Sequence, residues 1–178
     1  MRIRIEGRTR RLGDDVNTDY IIASTRKRET LDESVLTRYL LETVDPAFAA
    51  SVRPGDLLVA GRNFGCGSAM EIAATVILAA GIKAVVAESF ARTFYRNAIN
   101  NGLMPVECKT SDIMEGETLS IVLDGGTATL TRLASAQLRV GSAMPEIMLQ
   151  ILGAGGLVPY LRANGGSLAG GPTGQLAK

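Results

Sequence analysis

The sequence contains no histidine, no tryptophan and only two cysteines, Cys66 and Cys108. Without histidine, the chain cannot itself contain a Ser-His catalytic triad or a His-ligated metal site. Two cysteines are too few for a disulfide framework or a metal cage. Acid–base chemistry must therefore use Ser, Asp, Glu, Lys, Arg, Cys or Tyr, or residues of a partner.

Long hydrophobic runs and an excess of one charge are also missing. No apolar run reaches the roughly 18 residues that a membrane-spanning helix needs. The formal net charge is +1, which indicates no general surface for nucleic acid or acidic lipid. Residues 1–6 alternate charged and apolar side chains, which predicts a strand rather than a signal peptide. We therefore expect a cytoplasmic globular protein that binds neither nucleic acid nor membrane.

The middle of the chain alternates strand and helix patterns. Apolar runs predict strands, and helical spacing closed by glycine predicts helices. The order is strand 56–60, helix 70–80, strand 83–87, helix 90–100 and strand 104–108. Alternation at this spacing is typical of parallel crossover units and predicts an α/β fold.

The flanking segments carry shorter signals. Their predicted structures are one or two strands in 1–12 turning at Glu6-Gly7, a basic loop at 24–30, a helix at 32–41 capped by Asp32, a hairpin of 118–123 with 127–133, and a helix at 145–152. Residues 1–155 are expected to form a single domain. Residues 156–178 are rich in Gly and Ala and are expected to form a flexible tail.

The stretch "NFGCGSAME", residues 63–71, joins the first of these strands to the first helix. Ser68 and Glu71 have the spacing of a capping box, so Ser68 could serve only as a helix cap. Alternatively, Gly65 and Gly67 let the backbone approach an anionic ligand at the helix N-terminus, where Ser68 could act as an alkoxide base. The stretch is neither a P-loop nor a nucleophile elbow, and its single cysteine cannot bind a metal alone.

Three separate stretches resemble one known family in the order in which that family has them. They are "GDDVNTDYII" (13–22), "GRNFGCGSAMEIA" (61–73) and "AESFARTFYRNAINNGLMPVEC" (87–108). All three are similar to the small subunits of isopropylmalate isomerase and homoaconitase, and the resemblance covers most of residues 10–110. It implies a three-layer swivelling β/β/α domain like the C-terminal domain of aconitase. It also implies a large subunit that carries a 4Fe-4S cluster, with no cofactor bound by this chain.

The resemblance assigns roles to particular residues. Ser68 would be the catalytic base and Asp19 the second catalytic residue. The loop after Ile22 sets substrate choice in the family, so Arg26 or Arg28 would meet a substrate carboxylate, and Arg28 matches that position better. A merely solvated basic loop is the alternative. Further substrate-binding positions are Gly67, Ala69 and Met70, and Thr18, Gly65, Cys66 and Arg92 would support the site.

Two departures from the family pattern concern the substrate. Ala69 and Met70 stand where the family has a serine and an arginine that help bind a carboxylate, which makes the pocket more apolar if Met70 faces the substrate. The resemblance still implies the small subunit of a hydro-lyase active only with its large subunit, foremost 3-isopropylmalate dehydratase of leucine biosynthesis acting on a small dicarboxylic acid. The alternatives are 2,3-dimethylmalate dehydratase, homoaconitase, or a non-catalytic binding or regulatory module on the same fold.

Overall fold

The computed structural model describes residues 2–166. Within this range the strands are β1 (Arg2–Arg11), β2 (Leu57–Val59), β3 (Ala84–Ala87), β4 (Met104–Glu107), β5 (Thr118–Asp124), β6 (Thr127–Arg132) and β7 (Gln137–Val140). The α-helices are α1 (Thr18–Ile21), α2 (Ser24–Glu29), α3 (Glu33–Leu36), α4 (Phe48–Ser51), α5 (Ile72–Ala79), α6 (Arg92–Asn101), α7 (Glu146–Gly153) and α8 (Leu157–Ala163). The strands form a single sheet in the order β4-β3-β2-β1-β5-β6-β7.

One half of this sheet is parallel. Strand β1 pairs in parallel with β2, β2 with β3 and β3 with β4. Every residue of β2 and β3 is buried, as their unbroken apolar sequences require when helices cover both faces. The predicted strand–helix–strand alternation is therefore confirmed, and with it the α/β fold class.

The two faces of the parallel half belong to separate cores. Leu58 and Val85 pack in one core, to which α5 and the short helices between β1 and β2 contribute. Leu57 and Val86 pack in the other, with α7, α8 and the inner face of β5 and β6. Successive strand residues point to opposite faces, so each strand serves both cores. This arrangement fixes the carboxyl ends of β1, β2 and β3 next to one another.

The other half of the sheet is antiparallel. The predicted hairpin of β5 and β6 is confirmed: Asp124 pairs with Thr127 across Gly125 and Gly126, which both have positive φ. Strand β7 was not predicted, because it lies at the sheet edge with mostly exposed residues and no alternating pattern.

Three sequence predictions outside the site are wrong. Strand β1 continues through the expected turn, because its first part pairs with β5 and its last part with β2. Residue 7 is glycine because it lies against the backbone of Gly55, where a side chain would not fit. The basic stretch expected to be a loop forms helix α2. The helix expected over 32–41 divides into α3 and a 3-10 turn, Thr37–Tyr39, although Asp32 does cap it.

The first residues of the expected tail form a helix. Helix α8 occupies 157–163, and Tyr160 is only 4% exposed, because residues at the helical spacing 157, 160 and 161 pack on the second core. The boundary at residue 155 is therefore wrong for this segment. Residues 167–178 lie outside the described part of the chain.

Candidate active site

Two loops at the carboxyl ends of β1 and β2 run side by side. The Asp15 N–H donates to the carbonyl of Arg62, the Gly65 N–H to Val16, and the Thr18 N–H to Cys66, each at 2.8 Å. These bonds continue the parallel pairing of β1 and β2 beyond the strands themselves. The first and second family-like stretches are thus joined by backbone hydrogen bonds.

Gly65 and Gly67 are required by this pairing. Both have positive φ, +77° and +92°. A Cβ on Gly65 would lie 2.2 Å from the Phe94 ring, and one on Gly67 would lie 2.3 Å from Oδ1 of Asn17. Gly67 therefore allows close packing between the two loops, and Gly65 allows its loop to pack against α6; a side chain at either position would displace the neighbouring residue.

Thr18 connects the loop of Asp19 to the loop of Ser68. Its side chain is buried, and its hydroxyl donates to the backbone carbonyl oxygen of Ser68 at 2.9 Å. Cys66 takes part through its carbonyl, which accepts the Thr18 N–H. Both residues thus hold the two loops together.

Ser68 lies on the open side of this loop. Its neighbours Gly67 and Ala69 are exposed with it. Within residues 2–166 the Ser68 hydroxyl makes no hydrogen bond, whereas the backbone carbonyl of the same residue is held by Thr18. The serine thus presents a free hydroxyl from a backbone that is fixed in place.

The capping box is not formed. Helix α5 begins at Ile72, its N-cap is Glu71, and that cap has no side-chain hydrogen bond. The Ser68 carbonyl is bonded to Thr18 and the Met70 side chain is buried, so residues 68–70 are not helical. The helix therefore begins too far along the chain for Ser68 to cap it. Ser68 therefore also lies outside the first helical turn, where the dipole acts most strongly.

Met70 is 5% exposed and belongs to the first core. Its place in this apolar core explains why an apolar residue suits a position where the family has arginine. The expectation that Met70 faces a substrate does not hold in this structure. Ala69, beside it, remains on the exposed surface of the loop.

Asp19 lies on helix α1, which Asn17 caps by accepting the Asp19 N–H at 2.9 Å. The hydroxyl of Ser24 donates to Oδ1 of Asp19. The carboxylate is partly exposed and is oriented by this bond. Sequence reasoning missed Ser24, because nothing in the basic stretch indicated that α2 would return it to Asp19.

Arg26 and Arg28 have different surroundings. Arg26 makes a two-pronged pair with Glu42, at 2.9 and 3.1 Å, and its guanidinium lies 3.9 Å from the centre of the Tyr39 ring. The Glu42 carboxylate raises the pKa of Arg26 further above its usual value. Arg28 is exposed and pairs with no other described residue. Of the two arginines on α2, Arg28 is therefore the one without an internal partner.

Arg92 makes no hydrogen bond to the serine loop, which is the segment 60–71 that carries Ser68. It is the first residue of α6, exposed, and makes no hydrogen bond or ion pair with the rest of the described chain. The third family-like stretch instead supports the loop through Phe64, whose N–H donates to Ser89 and whose carbonyl accepts from Ala91. The Phe64 ring packs edge-on against Phe94 at 5.0 Å.

Two kinds of site have no candidate within residues 2–166. No group of three or more His, Cys, Asp or Glu side chains there could hold a metal ion. Nor does any helix in that range have the length and apolar character needed to cross a bilayer.

A family model described as the aconitase C-terminal domain matches residues 12–111. The chain belongs to this family. Its relatives include the isopropylmalate/citramalate isomerase small subunit of Methanocaldococcus jannaschii, 43% identical over 91% of this chain and 96% of the relative. The 3-isopropylmalate dehydratase small subunit of Halothermothrix orenii is 42% identical over 90% and 96%. The methanogen homoaconitase small subunit of Methanocaldococcus jannaschii is 43% identical over 89% and 91%.

A solved structure agrees with this membership. The crystal structure of a 3-isopropylmalate dehydratase from Methanocaldococcus jannaschii matches this chain with a TM-score of 0.86 and 41% identity, over 92% of this chain and 96% of the other. The expected fold, the swivelling domain of the aconitase C-terminal type, is thereby confirmed for this member of the family.

Proposed function

We propose that the chain is the small subunit of a two-chain hydro-lyase, 3-isopropylmalate dehydratase. The observation that carries this proposal is the arrangement at the carboxyl edge of the sheet. Ser68 offers a free hydroxyl from a loop that Thr18 fixes to the segment bearing Asp19. The names of close relatives support the same activity.

Ser68 is the proposed base. In its deprotonated, alkoxide form, its Oγ takes the proton from the substrate carbon beside the one that bears the hydroxyl and becomes the neutral hydroxyl, and it returns that proton in the hydration direction. A base of this kind must be held in place so that its atom meets the reacting hydrogen. The backbone hydrogen bond from Thr18 provides this fixation. Asp19, oriented by Ser24, forms the second polar group at the same edge.

The large subunit supplies what this chain lacks. The family implies a 4Fe-4S cluster there, which when bound provides the Lewis acid for the departing hydroxyl. This chain holds the base and part of the substrate contacts. We therefore propose that activity requires both chains. A cytoplasmic location for the pair remains our prediction.

Arg28 is the proposed contact for a substrate carboxylate. A guanidinium pairs with both oxygens of a carboxylate at once. Arg28 is exposed without an internal partner, whereas Arg26 is occupied by Glu42. Of the two arginines, only Arg28 can be recruited without breaking an existing pair.

Homoaconitase is the second candidate. A small subunit of that name is as similar, at 43% identity, as the isopropylmalate/citramalate relative. A free arginine on α2 suits a substrate with a distal carboxylate. The case for 2,3-dimethylmalate is weaker, because it rested on Met70 facing an alkyl group and Met70 lies in the core.

The test is reconstitution. The large subunit would be purified anaerobically with its cluster and assayed with and without this chain against isopropylmalate, citraconate, homoaconitate and dimethylmaleate. We expect turnover of isopropylmalate only when both chains are present. Preferred turnover of homoaconitate would move the assignment to the second candidate. A stable complex without turnover of any of these acids would contradict the enzyme proposal and favour a binding module.

A further inference from the structure

A second feature of the carboxyl edge is a surface cavity of about 510 Å³. It lies between the first two turns of α6 and the end of β4. Its lining residues are Phe90, Arg92, Tyr95, Arg96 and Glu107. Neither the proposed base nor Arg28 belongs to it.

Arg92 and Arg96 are an unsatisfied pair of cations. They are four residues apart on one face of α6, both are exposed, and neither pairs with an acidic side chain of the described chain. Like charges at this spacing repel each other on a helix. Arg92 is also in the first helical turn, where the helix dipole disfavours a cation. The two arginines therefore do not stabilise helix α6 in the chain alone.

Some other arginines of the same chain, unlike exposed Arg28, are paired internally. Arg8 contacts Asp56 at 2.6 Å and Arg26 contacts Glu42 at 2.9 Å. In the cavity, Glu107 stands near enough to Tyr95 to influence its hydroxyl, yet it forms no ion pair with either arginine there. The two guanidiniums are thus left for an acceptor from outside.

The cavity wall adds an apolar surface and a neutral donor. The rings of Phe90 and Tyr95 pack with their centres 5.8 Å apart. Burial, and then the charge of Glu107, raise the pKa of Tyr95, so its hydroxyl stays protonated. An aromatic wall beside two guanidiniums is the composition expected of a protein-binding hot spot.

The cavity and Ser68 share one rim of the molecule. Phe90 contacts Phe64 of the serine loop, with ring centres 5.9 Å apart, and the Ala91 N–H donates to the Phe64 carbonyl at 2.9 Å. A partner that closes over the carboxyl ends of the parallel strands can therefore contact both Ser68 and the cavity.

We infer that this cavity is a docking site for the large subunit, receiving a carboxylate-bearing segment between Arg92 and Arg96. The inference rests on the proposed function, since it requires a partner that closes over Ser68. Charge complementarity identifies the chemistry of the segment: two free guanidiniums match one or two carboxylates.

The test is the affinity of the cluster-loaded large subunit for variants of the full small subunit, measured anaerobically by calorimetry at low and high salt. The double variant R92E/R96E should weaken binding about tenfold or more at low salt, and the loss should shrink as salt rises. R92K/R96K should bind between wild type and the reversed variant, because lysine keeps the charge but not the two-pronged geometry.

The matched control is R53E/K83E. Arg53 and Lys83 are exposed cations before β2 and β3, at the opposite edge of the parallel strands, and their reversal changes net charge equally. This variant should bind within about twofold of wild type. Arg92 and Arg96 are both exposed, and glutamate at position 92 is favourable in the first turn of α6, so R92E/R96E should fold, which thermal unfolding of the isolated chain verifies.

Other outcomes overturn the inference. Equal affinity of R92E/R96E and wild type would do so, as would an equal loss in both double variants, which would indicate a general charge effect. If wild type does not bind the large subunit, the inference and the proposed function fail together. If it binds without turning over any acid, only the proposed activity fails, and the variants still decide the docking site.

Discussion

At the residue scale, Thr18 positions the loop that carries Ser68. Its N–H donates to Cys66 and its hydroxyl to the carbonyl of Ser68, so one buried side chain sets the position of the proposed base. Ser24 acts similarly on Asp19. The reacting groups are thus oriented by neighbours that would not themselves touch the substrate.

Replacing Thr18 with valine tests this positioning. The variant keeps the shape of the side chain but loses the donor, so we expect about 1 kcal/mol less free energy of unfolding. We expect kcat of the assembled enzyme to fall about tenfold with little change in KM, because the base is misplaced. Urea unfolding and steady-state kinetics measure the two effects. Thr129→Val, on strand β6 away from the site, is the control and should leave kcat unchanged.

Arg28 and Arg26 offer a comparison between two neighbouring cations. Arg28→Gln should raise KM about ten- to a hundredfold, because a charge-assisted contact to the substrate is lost. Arg26→Gln should instead lower the melting temperature, since it breaks the pair with Glu42. Kinetics and thermal unfolding of both variants check this. A larger KM effect in the Arg26 variant would contradict the assignment of Arg28.

At the scale of elements, the sequence pattern predicted the helices and strands whose formation depends on nearby residues. The run 56–60 and its successors became β2, α5, β3, α6 and β4, because unbroken apolar strands and glycine-closed helices need no distant partner to be recognised. The resemblance of the stretches 13–22 and 61–73 to a known family also predicted Ser68 and Asp19 as catalytic residues, and that assignment stays a prediction.

The remaining elements depended on contacts between distant residues. The capping box at Ser68 and Glu71 failed because residues 61–68 pair with 13–18 and because Met70 is buried. The turn at Gly7 failed because a strand 10 residues long pairs with β5 at one end and β2 at the other. No local signal shows either pairing. Arg26 is paired and Arg28 is not because Glu42, which is distant in sequence, lies beside Arg26.

Gly67→Ala tests the close approach of the two loops. Gly116→Ala is the matched control, because Gly116 also has positive φ, +79°, but open space around it. Both variants should lose about 1–2 kcal/mol of stability from backbone strain. Only Gly67→Ala should also lower kcat, since its methyl group displaces Asn17 and the serine loop. Equal kinetics for both variants would show that the loop packing is not needed for catalysis.

At the scale of the whole molecule, Asp56 joins the start of β2 to β1. Its side chain is 4% exposed and accepts from Arg8 at 2.6 and 3.0 Å and from the Arg53 N–H at 3.0 Å. Burial acts to raise the pKa of Asp56, but these hydrogen bonds and the charges of Arg8 and Arg10 outweigh it, so the pKa is lowered. The carboxylate form is therefore stabilised in the folded chain.

The lowered pKa predicts an acid-sensitive stability. Above the unfolded value of about 3.9 the contribution of Asp56 is fully present, and it is lost as pH falls through the lower folded value. The free energy of unfolding should thus decrease below about pH 4. Asp56→Asn should cost about 1–3 kcal/mol at pH 7 and show a smaller further loss in acid. Urea unfolding from pH 7 to pH 2 measures this, and an unchanged acid dependence in the variant would exclude Asp56 as a cause.

The assembled enzyme provides the most direct measurement of the central claim that Ser68 is the base. We would measure kcat of the two-chain complex for dehydration of isopropylmalate with wild type, Ser68→Ala and the control Ser135→Ala, an exposed serine before β7. Removal of a general base predicts a loss of about a hundredfold or more in Ser68→Ala, with unchanged complex formation and a normal control. Turnover of Ser68→Ala within a few-fold of wild type would contradict the account.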